Sequence, residues 1–157
     1  MTEFLLSVHV LAAIIAIGPV TVAASMFPAF TRRAATEPAD GPSVTVLRTL
    51  HRICRVYACV GIVVPIFGLA TAISLGVLGD TWLIVSIALT AAAAGVLALM
   101  VLPDQSKILA TLTGAAPPAA LPRTVTAQLA MYTGTFNTLW ATVTVLMIIR
   151  PGSTTGA

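Results

Sequence analysis

Residues 4–27 read FLLSVHVLAAIIAIGPVTVAASMF, a run without a single Asp, Glu, Lys or Arg. A bilayer's hydrocarbon core is crossed by about 20 apolar residues at a rise of about 1.5 Å each. Phe4–Phe27 therefore predicts a transmembrane helix. Three further charge-free stretches of spanning length follow: Val56–Gly79, Thr81–Leu102 and Thr124–Ile149. The expected fold is an all-α membrane protein, a four-transmembrane-helix bundle that forms one domain over residues 1–150. Pro151–Ala157, rich in Gly, Ser and Thr, is expected to be a flexible tail.

Composition agrees. Of 157 residues, 58% are apolar and 8% charged, against roughly 25% charged in ordinary soluble domains. About a third of a soluble chain of this size stays wet after folding, and this chain has too little polar surface for that. Its few Lys and Arg do not form the patch with interleaved aromatics that nucleic acid requires. The first charge is Glu3 and no basic residue precedes Arg32, unlike the basic start of a signal peptide, so the first helix reads as retained. Cys54 and Cys59 are not a CxxC pair and read as small apolar side chains kept reduced.

The connections differ in kind. Gly79-Asp80-Thr81 predicts a tight hairpin between the second and third spans. Pro28–Arg55 and Pro103–Arg123 are longer and proline-rich, and Pro103-Asp104 can open a short surface helix reaching Leu112. Arg32, Arg33, Arg48, Arg52, Arg55, Lys107 and Arg123 share one side, which leaves Arg150 alone on the other. Short basic loops face the cytoplasm, so both termini are expected outside.

Helical angles assign the packing faces. Ala12, Ala13, Ala16, Val20, Ala23, Ala24 and Phe27 share the face of His9. Ala58, Gly61, Pro65, Gly68, Ala72, Gly76 and Gly79 make one small stripe on the second span. Ala91, Ala94, Gly95 and Ala98 cluster on the third. On the fourth, Ala130, Thr133, Gly134, Asn137, Trp140, Ala141 and Thr144 share a face. Pro19 and Pro65 are expected to kink their helices, and Asn137 reads as interhelical glue worth around 0.6–2 kcal/mol.

Few residues offer chemistry. A small proton-coupled exporter needs a membrane-embedded carboxylate, and all five acids lie outside the spans. There is no HExxH, no phosphate loop and no nucleophile–base–orienter set. His9 is the one ionisable side chain inside a span. It can ligate haem iron, hydrogen-bond a quinone, or bond an oxygen between helices. Counting in from the outer helix ends places Thr144 and Ala72 at its depth, so His9, Thr144 and Ala72 form a candidate cofactor pocket. Arg48, His51, Arg52 and Arg55 recur at helical spacing and form a candidate contact with anionic lipid headgroups, at about 1 kcal/mol per basic residue near the surface.

The opening Leu5-Leu6-Ser7-Val8-His9-Val10-Leu11-Ala12-Ala13, leading to Gly18, resembles bacterial, actinobacterial-type predicted integral membrane proteins of unknown function that begin with a similar LLxxHVLxAxxxxG helix and span four times. More distantly, it looks like CopD-type copper-resistance proteins and the membrane-bound protoporphyrinogen oxidase of the haem pathway, which also carry a histidine early in a helix. That likeness implies haem at His9, although the intramembrane lysine and richer histidine set of that oxidase are missing here. The expected role is a non-enzymatic accessory or scaffold subunit in a bacterial plasma membrane, in a larger complex or homo-oligomer; the alternative is a haem- or quinone-binding redox protein.

The topology can be tested directly. Reporter fusions after Arg33 and Gly114 should read cytoplasmic, and fusions at Asp80 and after Arg150 external; a cytoplasmic reading after Arg150 contradicts the four-span orientation.

Overall fold

The computed structural model of the protein describes residues 2–38, 41–114 and 122–152, so the expected tail lies outside it from residue 153 onward. The elements are α1 (Thr2–Ala34), α2 (Pro42–Val60), α3 (Val63–Leu75), α4 (Thr81–Val96), α5 (Leu102–Thr113) and α6 (Arg123–Ile149). A π turn, Leu97–Val101, joins α4 to α5. No strand occurs among the described residues. α2 continues into α3 and α4 into α5, giving four rods long and apolar enough to cross a membrane. The chain is an all-α, multi-pass four-helix membrane protein.

Prolines set the breaks. A proline removes one N–H and its ring presses on the carbonyl four residues earlier. For Pro65 that carbonyl belongs to Gly61, where α2 ends. Gly61 O instead accepts the Val64 N–H at 3.2 Å. For Pro103 the carbonyl belongs to Leu99, inside the π turn. There the Leu102 N–H reaches Leu97 O, five residues back, and the wider turn makes room for the ring. Pro19 and Pro28 interrupt nothing: α1 runs through both.

Several helix ends differ from expectation. α1 does not stop at Phe27, because Ala23, Ala24, Phe27, Thr31 and Ala34 form one buried stripe that packs mainly on α2. Tertiary packing outweighs the local effect of Pro28. α3 stops at Leu75, not Gly79. Gly76 adopts φ +70°, a left-handed conformation that glycine accepts without strain. Val77 N–H then bonds Ala72 O at 3.2 Å and closes the helix end. The hairpin to α4 is therefore longer than the sequence suggested.

α1 is the hub. It packs on α2, α3 and α6, while α4 packs on α6 and α5 on α2. At the basic end a large apolar core gathers Phe27, Leu47, Ile108, Leu129 and Phe136. At the opposite end Ala72, Trp82 and Leu83 form a smaller cluster. Over it, the Arg150 guanidinium lies 5.8 Å from the Trp82 ring centroid.

The loop before α2 carries its own cap. Glu37 Oε2 accepts the Ser43 N–H at 3.0 Å, and Oε1 accepts the Ser43 hydroxyl at 2.7 Å. These two bonds, with help from Arg33, hold the Glu37 carboxyl below the usual carboxylate range. A depressed pKa adds stability above the unfolded value that disappears as pH falls through the folded one. Glu37→Ala should therefore speed amide exchange in the first turn of α2 at neutral pH. The ratio of wild-type to variant protection should shrink toward one as the medium is acidified below that range; a pH-independent ratio would contradict the capping role.

Candidate functional site

His9 begins the inward stripe of α1, one turn before Ala12 and Ala13 and in line with Ala16, Val20 and Phe27. It is 9% exposed. Its Nδ1 lies 2.9 Å from Val64 O of α3. A carbonyl only accepts, so Nδ1 carries the proton and donates. The ring rests on Gly68. A Cβ built there would stand 2.8 Å from Cε1 and 3.1 Å from Nδ1, so glycine is what permits this approach. The interaction is a clasp between α1 and α3.

The expected pocket partners are elsewhere. Ala72 is buried, but it packs with Trp82 and Leu83 at the helix tips. The reason is the early end of α3: seven residues inside Leu75 lies Gly68, whereas seven inside Gly79 lies Ala72. The helix end lies about one turn before the Gly79 from which the depth is counted. Thr144 is exposed, and its hydroxyl donates to Trp140 O at 3.0 Å. Val143 is the inward residue at that depth. The inward face of α6 runs Thr126, Leu129, Thr133, Phe136 and Val143, and Ala130, Gly134 and Ala141 face outward. Small residues marked the wrong side here, and on the third rod too, where Ala91, Ala94 and Ala98 are exposed and Ala93 is buried, because lipid and protein interior are equally apolar and polarity does not tell them apart. Asn137 does join helices: its Nδ2 donates to Ser25 Oγ of α1 at 3.1 Å.

At the basic end, Arg48, Arg52 and Arg55 are exposed on α2, and the one ion pair among the described residues is Lys107–Asp104. His51 leaves that group and turns to α5. Its Nδ1 is 3.0 Å from Gln105 Oε1 and its Nε2 is 3.3 Å from Ser106 Oγ. Gln105 is fully buried and also donates to Cys54 Sγ at 3.6 Å. Both cysteines are free thiols. The two histidines thus perform the same task at opposite ends, each tying the second rod to a neighbour.

Gln105 was missed because Pro103–Leu112 reads as a surface helix. Its signal was the spacing Val101, Gln105, Ile108 and Leu112, a helical stripe that is otherwise apolar and is wholly buried here. Among the described residues, no three of His, Cys, Asp and Glu gather closely enough to hold a metal ion.

Gly68→Ala should cost about 1–3 kcal/mol, the range for overpacking a filled core. In a His9→Ala background the same change should cost little, because the ring it strikes is gone. The measurement is a double-mutant cycle on reversible unfolding in detergent; additive effects would contradict the clasp.

No protein-family model matches this chain, and no curated protein or solved structure matches it.

Proposed function

We propose that this chain is a non-enzymatic multi-pass subunit of a bacterial plasma membrane, an accessory or scaffold protein that works by packing. In this reading both termini lie outside and the basic end faces the cytoplasm. Arg48, Arg52 and Arg55 meet anionic headgroups there. The partner is a helix of a larger assembly or of a second copy.

The supporting observation is the outward face of α6. The other rods expose isoleucines, Ile14 and Ile15 on α1, Ile66 and Ile73 on α3, Ile84 and Ile87 on α4, with exposed alanines also on α4 at Ala88, Ala91, Ala92 and Ala94. The α6 span is the least apolar of the four. It exposes Thr124, Gln128, Gly134, Thr138, Ala141 and Thr142, which line or adjoin two shallow grooves. The hydroxyls of Thr138 and Thr142 bond their own helix at 2.9 Å, so between the exposed Met131 and Val145 the outward residues are small and offer no free hydroxyl hydrogen. Helices in lipid approach one another through such surfaces. Large apolar side chains suit contact with acyl chains.

A second reading, a haem or quinone held at His9, draws on a different observation. His9 Nε2 has no hydrogen-bond partner among the described residues.

The packing reading is tested with a photo-cross-linking residue in native membranes. At Thr138 or Ala141 it should trap protein, and at Ile14 or Ile66 it should trap lipid only. Lipid adducts alone at all four positions would overturn it.

A further inference from the structure

His9 has one nitrogen engaged and one free. Nδ1 donates to Val64 O, so in the neutral ring Nε2 holds a bare lone pair and can only accept. That nitrogen is not sealed in. Among the described residues, the fully buried side-chain atoms left without a partner are Thr133 Oγ1 and Asn137 Oδ1. Nε2 of His9 is not one of them, so it is not fully enclosed, and the residue as a whole is 9% exposed. The ring cannot readily turn away, because its Nδ1 edge is bonded and its Cε1 edge lies on Gly68.

Six residues in from Glu3, His9 lies about 9 Å below the end of α1, so an ammonium or guanidinium donor would be costly to bring there. A carbonyl offers no hydrogen and would meet lone pair with lone pair. A neutral hydroxyl fits. α3 and α4 have little contact with each other apart from the Ala72–Trp82–Leu83 cluster, so this half of the bundle is the less tightly closed one.

We propose that His9 Nε2 accepts a hydrogen bond from the hydroxyl of a membrane-soluble amphiphile, and so favours a quinol over the corresponding quinone. This rests on the second reading above, a ligand at His9. The same hydroxyl chemistry has two sources in a bilayer, the phenolic ring of a quinol and the headgroup of a hydroxyl-bearing lipid.

The test is 15N NMR of histidine-labelled wild-type protein in phosphatidylcholine nanodiscs, where bare, hydrogen-bonded and protonated ring nitrogens resonate apart. His9 is assigned by the signals lost in His9→Gln. A short-chain benzoquinol should move Nε2 saturably from the bare to the hydrogen-bonded position. Its quinone and its dimethyl ether should bind about tenfold more weakly or not at all, as loss of one such bond implies. Nanodiscs containing phosphatidylglycerol that give the same movement without quinol support the hydroxyl chemistry and assign its source to the lipid. Equal or tighter binding of the quinone overturns the donor preference and leaves a ligand at His9 standing. A bare Nδ1 in place of Nε2 overturns the tautomer on which the preference depends. No movement with any probe or lipid overturns both the preference and the ligand reading.

Discussion

In hydrocarbon a backbone N–H or C=O has no water to turn to, so each must be satisfied within its own helix or by a neighbour. Every irregularity in this bundle answers to that demand. At Pro65 the rod breaks into α2 and α3, and Gly61 O finds the Val64 N–H three residues on. At Pro103 the rod instead widens, and Leu102 N–H reaches back to Leu97 O. The outcomes differ because of what surrounds each break. Gly61 and Ile62 lie at the bundle's surface and are free to re-form as a turn. Leu97 and Val101 are core residues, so the helix there keeps its course and changes only its pitch.

His9 meets the same demand from the side-chain end. An imidazole in a membrane must place its hydrogen, and here it uses a backbone carbonyl of the rod weakened by Pro65. A carbonyl has two lone pairs, so Val64 O can serve its own helix and His9 together. His51 and Gln105 solve the equivalent problem at the basic end with a side-chain partnership. The two halves thus differ in character. The basic half has a bulky apolar core with one embedded amide. The opposite half buries three polar side chains, His9, Thr71 and Ser86, beside the small Ala72–Trp82–Leu83 cluster.

The number of spans was legible in the sequence because charge-free length is a one-dimensional property. The face of α1 was legible too: Ala16, Val20, Ala23, Ala24 and Phe27 are all buried, as their angle to His9 implies. Helix ends were less so. Pro28 looks like a stop, and only the packing of Thr31 and Ala34 against the neighbouring helices shows why it is not. The left-handed Gly76 could have been suspected, yet Gly79 offers the same residue type three positions later. On α6 the rule that small residues face inward failed at Ala130, Gly134 and Ala141. Burial there selected Leu129, Phe136 and Val143, which fill volume, and size carries no polarity to read. Thr144 and Ala72 were misplaced for these two different reasons, one an error of angle and the other an error of endpoint.

Register is the remaining question that shape has to answer. Two apolar rods in lipid gain little by sliding to one position over another, since no hydrophobic difference separates the choices. The stripe Gly61, Pro65, Gly68, Ala72 and Gly76 offers several small seats about one turn apart. Only one accepts the imidazole with a carbonyl at its Nδ1. A slip of one turn, about 5.4 Å, would set the ring on Ala72, whose Cβ occupies the space that Gly68 leaves empty. A slip the other way would meet Val64 or the Pro65 ring. The missing methyl group at Gly68 and the hydrogen bond from His9 therefore choose the same register independently, and that agreement fixes α3 on α1.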